Sequence, residues 1–308
     1  MPLPTNMHEA PLRTDEYTIY TKDELGVPGL NLFGHRLMID ASEPLILHYH
    51  EHALEFTTAT KGEHIWTVET DPPTSYRFRG GDIFISYPEE PHSGREHPLR
   101  FSEIYWFQID PTIEKDFLFL CPNAALHTIS QLKLLKRHVI HTDSSLTHPL
   151  FKQIFSLLEQ NGDRFRIAAY ILTLIHHFLS ANSAEDSGIT PDIEAVLSYI
   201  NQNLMDELDL ETLASIAQLS CSHFQQKFKK QLGIGPRHYI NQQKIEYSKK
   251  LLLDGRSVTE TAMLLGYNTS SYFSTVFKKY AMYTPREFLK KSACSETANQ
   301  QQSSEKTN

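Results

Sequence analysis

The spacing of apolar positions changes character along the chain. From about Tyr17 to Asp110 they come in short runs, Glu55-Phe56-Thr57-Thr58, Ile65-Trp66-Thr67-Val68 and Ile83-Phe84-Ile85. Lys61-Gly62, Asp71-Pro72-Pro73 and Gly80-Gly81-Asp82 separate them. Runs of this length between turn-forming residues predict strands, and their regular recurrence predicts an all-β sandwich or barrel. Beyond Pro111 the period lengthens. Phe151, Ile154, Phe155 and Leu158, then Ile167, Tyr170, Ile171, Leu174, Ile175 and Phe178, recur at helical spacing and predict two amphipathic helices over 150–160 and 165–180. Asn182 to Gly188 is polar and reads as a linker, and no apolar period follows Ser292, which predicts a disordered tail. The chain is therefore expected to be an α+β multidomain protein. Its parts are a β domain over 17–110, a helical segment over 111–182 that supplies the candidate dimerisation helices, a linker over 183–190, an all-α domain over 191–291 and a tail over 292–308.

The C-terminal part repeats itself. Phe224-x3-Phe228-Lys229-Lys230-x5-Pro236-Arg237-x-Tyr239 returns 49 residues later as Phe273-x3-Phe277-Lys278-Lys279-x5-Pro285-Arg286-x-Phe288. Each copy follows a short helical pattern, Leu210 to Leu219 and Val258 to Leu265, and a tight polar turn. Helix, turn and N-cap thus succeed one another in the order of a helix-turn-helix. The turn of the second copy contains Gly266, where a positive φ is cheap. Phenylalanines four residues apart bury one face of each second helix, so Ser222, His223, Gln225, Gln226 and Lys229 in the first, and Ser270, Ser271, Ser274, Thr275 and Lys278 in the second, point outward. Amides and hydroxyls of this reach can read base edges in a major groove, and the trailing pairs Lys229-Lys230 and Lys278-Lys279 suit phosphates. A merely solvated helix face is the alternative, which the duplication makes the weaker account. Pro236 to Leu253 reads as one continuous helix between the copies, with Tyr239, Ile240, Ile245, Ser248, Leu251 and Leu252 inward.

Charge follows the same division. The 308-residue chain has a formal net charge of −8, yet residues 1–187 carry 15 Lys+Arg against 25 Asp+Glu, and residues 188–292 carry 13 against 10. An acidic sensing or assembly part joined to a basic-leaning binding part is the organisation this suggests. The three cysteines, Cys121, Cys221 and Cys294, supply neither a disulfide framework nor a zinc cluster, and a reducing cytoplasm fits them best. The N-terminus lacks the basic start and apolar core of a signal peptide, and no apolar stretch approaches the roughly 20 residues a bilayer needs.

Residues 191–291 resemble the two-unit DNA-binding domain of the AraC/XylS family of bacterial transcription regulators, most specifically through Gly266-Tyr267-Asn268-x3-Tyr272-Phe273-Ser274-x2-Phe277-Lys278-Lys279. The resemblance implies a cytoplasmic, non-enzymatic regulator, usually an activator. It further implies a homodimer acting with double-stranded promoter DNA and RNA polymerase, with the outward residues above as its DNA contacts. Three positions depart from the family pattern: Lys244 and Ser248 stand where Arg and Ala are usual, and Ala281 where Gly is usual, which puts a helix C-cap under strain.

In the β domain, His48-x-His50-x4-Glu55-x6-Gly62 is followed by Gly81-Asp82-x5-Pro88-x3-His92. His48 and His50 share a strand face, whereas Glu55 has the wrong parity, so a turn or bulge near Glu51 to Leu54 is needed to bring it in. These residues resemble the two cupin motifs, which implies a cupin-like barrel whose pocket binds a small effector, often a sugar. His48, His50, Glu55, Trp66, His92 and Trp106 are the candidate effector-binding residues. Phe56, Tyr87 and Tyr105 could also stack on a sugar, or serve as barrel core. No cofactor is required by this reading, although His48, His50, Glu55 and His92 form a chemically adequate set for a divalent metal. The alternative function is a metal-dependent cupin enzyme, an oxygenase or isomerase, with an attached helical domain.

Overall fold

The computed structural model describes residues 4–7, 9–99, 102–182 and 189–292. Residues 183–188 of the expected linker and 293–308 of the expected tail lie outside these. Two compact units are present, one of Met1–Thr190 with Gln226–Ile234, the other of Pro191–Gln225 with Gly235–Asn308. Among the described residues no helix is long and apolar enough to cross a membrane.

The first unit is built on twelve short strands among the described residues. They are β1 (Thr5–Asn6), β2 (Leu12–Arg13), β3 (Tyr17–Thr21), β4 (Leu30–Met38), β5 (His48–Tyr49), β6 (Leu54–Lys61), β7 (Glu63–Val68), β8 (Thr74–Arg79), β9 (Asp82–Ser86), β10 (His92–Ser93), β11 (Ser102–Ile109) and β12 (Val139–His141). The expected barrel is not closed by hydrogen bonds. Instead there are two sheets, one in the order β1-β5-β10-β7-β8 and one in the order β12-β9-β6-β11-β4-β3-β2. Trp66, Val68 and Phe78 from the first sheet share one apolar core with Ile19, Leu32, Ala59, Phe84, Ile104 and Trp106 from the second.

The other face of the larger sheet carries a second core. Phe33, Phe56, Tyr105, Phe107 and Ile109 pack there against Ala125, Ile129 and Leu132 of α2 (Pro122–Lys133), Phe151, Ile154 and Leu158 of α3 (Ser144–Glu159), and Ile171, Leu174, Ile175 and Phe178 of α4 (Arg164–Asn182). Because side chains alternate along a strand, β11 feeds Ile104 and Trp106 to one core and Tyr105, Phe107 and Ile109 to the other. All eight of its residues are buried as a result. The apolar stripes of α3 and α4 are thus used within the unit, and the exposed large apolar side chains left on these helices are Leu146 and Phe165. A four-residue helix, α1 (Lys22–Leu25), precedes β4.

In the helical part, α5 (Pro191–Gln202) precedes α6 (Leu210–Ile216) and α7 (Cys221–Leu232), then α8 (Pro236–Leu253), then α9 (Val258–Leu264) and α10 (Ser270–Ala281). Each short helix starts on a side-chain cap: Asp209 accepts from the Thr212 amide, and Ser257 forms a reciprocal capping box with Glu260. α8 is continuous, as its pattern predicts, and buries Tyr239, Ile240, Ile245, Ser248, Leu251 and Leu252. Ile245, Leu251 and Leu252 join Ala262, Leu265, Phe273, Val276 and Phe277 in one core.

One departure from the sequence pattern has a backbone cause. The strained C-cap falls on Met282, at φ 71°, whereas Ala281 is an ordinary buried helical residue. The equivalent position 49 residues earlier is Gly233, at φ 72°, where the left-handed conformation is free of the Cβ penalty. Lys244 sits at the other end of the second pair. Its Nζ donates to the Leu265 carbonyl at 2.8 Å, satisfying a group that the end of α9 leaves without a helical partner.

Candidate nucleic-acid interface and candidate ligand site

The outward positions of α7 are those expected from the repeat. Phe224 and Phe228 are completely buried, and Ser222, His223, Gln225, Gln226, Lys229 and Lys230 are exposed. In α10, Phe273 and Phe277 are completely buried, Ser271, Thr275, Lys278 and Lys279 are exposed, and Ser270 and Ser274 are half-buried. Neither helix contains an Asp or Glu, and both carry lysines in the last turn. The two faces differ in chemistry. Ser274 Oγ donates to the Ser270 carbonyl at 2.7 Å and Thr275 Oγ1 to the Ser271 carbonyl at 3.2 Å, so the hydroxyl hydrogens of Ser274 and Thr275 are held by the backbone of α10. Among the described residues Gln225 bonds the Cys221 sulfur, at 3.4 Å, and its amide keeps donor and acceptor capacity. Tyr272, part of the signature over 266–279, is 59% exposed on the same helix as the serines.

In the first unit, His48, His50 and His92 come together from separate strands. His92 is the cross-strand partner of His48, and their ring centroids lie 4.2 Å apart. One nitrogen from each of the three rings lies within 4.8 Å of the other two. Glu55 is brought in by the turn between β5 and β6, and its Oε2 stands 3.2 Å from His50 Nε2. Gln108 of β11 donates to the same carboxylate oxygen at 2.9 Å. The neighbouring backbone fixes two tautomers. His48 Nδ1 lies 2.8 Å from the Ile46 carbonyl and His92 Nδ1 lies 3.0 Å from the Glu90 carbonyl. A carbonyl only accepts, so each Nδ1 carries the proton and each Nε2 keeps its lone pair. His92 Nε2, on a side chain with no exposed surface, has no hydrogen-bond partner among the described residues.

Burial holds His92 neutral, with its pKa down at about 3, and also lowers that of His48. Burial opposes ionisation of Glu55 too, but His50 beside it outweighs this and keeps the carboxyl at about 2. His50 is raised in turn, Glu55 overcoming its burial. A cleft of about 670 Å³ opens onto His50 and Gln108 and is lined by Glu9, Asp23, Glu51 and Asp110, with Lys22 its one lysine or arginine. Glu9, from the segment before β2, accepts from Trp106 Nε1 at 3.3 Å. Burial and the proximity of Glu55 push its pKa up to about 7.

The aromatic candidates divide differently. Trp66 packs in the core between the sheets, 4.9 Å from Phe78 and 5.1 Å from Phe84. Trp106 is in that core as well and reaches the site only through its indole nitrogen. Phe56 and Tyr105 belong to the core against the helices, and the Tyr87 hydroxyl donates to the Arg137 carbonyl. Glu9 and Gln108 escaped the sequence reading. Gln108 shares strand parity with Trp106 and could have been found from it, whereas Glu9 belongs to no motif.

Residues 213–291 match the model of a helix-turn-helix domain family. An uncharacterized HTH-type transcriptional regulator from Pseudoalteromonas carrageenovora is 38% identical over 96 residues, 31% of this chain and 57% of the relative. The bifunctional transcriptional activator/DNA repair enzyme AdaA of Bacillus subtilis is 34% identical over 108 residues, 35% of this chain and 51% of the relative. The chain thus spans about half the length of these curated relatives. Among solved structures, the C-terminal domain of the two-component response regulator yesN from Fusobacterium nucleatum is 31% identical, with 32% of this chain and 98% of that one covered and a TM-score of 0.31. Residues 213–291 thus form an AraC-type helix-turn-helix domain, similar in sequence to those of the HTH-type transcriptional regulators above.

Proposed function

We propose that the chain is a sequence-specific DNA-binding transcription regulator, an activator working as a homodimer with RNA polymerase, that responds to a small-molecule effector taken up beside His50. The observation that carries the DNA reading is the matched pair of exposed faces on α7 and α10, free of carboxylates and ending in lysines. Such faces suit one helix in each of two major grooves, with side chains at base edges and lysines at phosphates. Gln225 and Gln226 are suited to bidentate adenine contacts, so the first unit supplies most base readout and the second mainly apposition.

For the effector, the support is a cleft rich in hydrogen-bonding groups at the edge of the histidine cluster, which suits a polyhydroxyl compound such as a sugar. The proximity of His48, His50 and His92 favours a second occupant, a divalent cation held by these rings and Glu55. The lone-pair-bearing Nε2 atoms of His48 and His92, the latter without a hydrogen-bond partner among the described residues, fit such an ion. When bound it would supply positive charge to oxygen atoms of an effector.

Fluorescence anisotropy with the DNA upstream of the chain's own gene, across a salt series, tests the central claim. Sequence-preferring binding with a steep salt slope is expected. Absence of binding, together with stoichiometric metal and substrate turnover, would establish the enzyme instead. Replacing Gln225 and Gln226 by Ala should weaken specific binding more than non-specific binding, and an equal loss of both would refute the base-reading role.

A further inference from the structure

We infer that Glu9 is the second carboxylate of the histidine site, supplying further negative charge to a divalent cation held there. The inference rests on the cation reading of that site and adds to it a residue from outside both histidine motifs. Its first support is a charge count. Three neutral imidazoles and the single carboxylate of Glu55 would leave a divalent ion with one uncompensated positive charge in a buried site. A net charge in such surroundings is costly, so a second anion within reach stabilises the ion.

Glu9 is placed to be that anion. It lines the same cleft as His50 and is close enough to interact electrostatically with both His50 and Glu55. Its side-chain hydrogen bonds come from Trp106 and Tyr17, both uncharged donors, and no Lys or Arg pairs with it among the described residues. The segment that carries it is tied to the histidine strand: Thr5 pairs with His48 and Asn6 with Tyr49, and the Met7 amide donates to the Tyr49 carbonyl at 3.0 Å. A half-buried carboxylate with only neutral partners, held beside a fully buried one, is an arrangement that a cation would stabilise and an anionic ligand would oppose. The independent sign that the site takes a ligand is the partnerless, completely buried His92 Nε2.

The test uses the full chain, stripped of metal and titrated with Co²⁺ by calorimetry and by visible absorption. Wild type should bind one ion, and His92→Ala should abolish binding. Glu9→Gln should weaken it roughly 10- to 100-fold, the loss typical of groups that support a metal site, and Glu9→Asp should recover part of that loss. Carboxyl labelling of the wild-type chain, which needs no variant to fold, should show Glu9 protected once Co²⁺ is bound. If wild type and Glu9→Gln bind Co²⁺ equally, or Glu9 labels equally with and without the ion, the assignment of Glu9 is overturned while the cation site stands. If wild type takes up no Co²⁺, the cation reading itself fails, and the role of Glu9 with it.

Discussion

Trp106 of β11 lies over Gly34 of β4, its cross-strand partner, so closely that a Cβ on Gly34 would stand 2.2 Å from the indole ring. Gly34 is therefore required by its neighbour rather than by its own backbone. Gly34→Ala should cost about 2 kcal/mol or more, since an added methyl group forces the indole off its position in a packed core. Urea denaturation followed by tryptophan fluorescence will measure this, and an unchanged midpoint would disprove the contact.

Met282 should be replaceable with profit to stability. Its φ of 71° costs an L-residue roughly 1–2 kcal/mol, and the repeat places Gly233 at the equivalent cap. Met282→Gly should raise stability by about 1 kcal/mol, part of the strain relief being offset by the greater freedom of glycine in the unfolded chain. A lower melting temperature for this variant would contradict the equivalence of the two caps.

Removing the ammonium of Lys244 should loosen the second helix pair. Lys244→Met leaves the Leu265 carbonyl without the donor 2.8 Å away, a loss of about 1–3 kcal/mol. Burial already lowers the pKa of this lysine, which shows how far it has been drawn from water. Hydrogen exchange should report faster opening of α9 and α10 in the variant, and unchanged protection there would rule the capping role out.

Acid should destabilise the fold in part through two histidines away from the histidine site. Burial holds His148 of α3 and His238 of α8 at about 4, well below an ordinary histidine at about 6.5. Above pH 6.5 both are neutral whether folded or not, and their contribution is complete. As pH falls from 6.5 towards 4, the unfolded chain takes up protons that the folded one refuses, so stability declines. Denaturant midpoints between pH 7 and 4.5 should fall, and His148→Gln with His238→Gln should flatten the decline.

On DNA, the lysines at the end of α10 should act without regard to sequence. Lys278→Ala with Lys279→Ala should weaken binding to specific and non-specific DNA alike and reduce the salt slope by about two. A selective loss of specific binding would transfer base reading to the second unit.

Much of this was legible in the amino-acid order because local rules and tertiary demands coincide there. The helices of the C-terminal part follow from their caps and Phe-x3-Phe spacing, and the continuous α8 from the placement of Pro236 and its apolar period. α2 falls within the helical segment expected over 111–182 but is not resolved there as a separate helix, although Ala125, Ile129 and Leu132 form its buried stripe behind Pro122, because no strong apolar run marks it. Closure of strands into a barrel was unreadable in principle, since alternation fixes which face a residue takes and says nothing about which edges meet. The histidines were found from their spacing. Glu9 was not, because its place beside Glu55 depends on strand pairing across some forty residues, and the strained cap was misplaced by one residue, from Met282 to Ala281, because a capping position is set by where the helical hydrogen bonds stop.

The burial of β11 on both faces has a mechanical consequence. Gln108 and Trp106 touch the groups around the cleft, while Tyr105 and Phe107, one residue away in either direction, press on α3 and α4. A strand with a wet side can dissipate a small displacement into water, but a strand walled in by two close-packed layers can only hand it on. A ligand seated next to Gln108 would therefore push, through a backbone one residue thick, on the helices behind it.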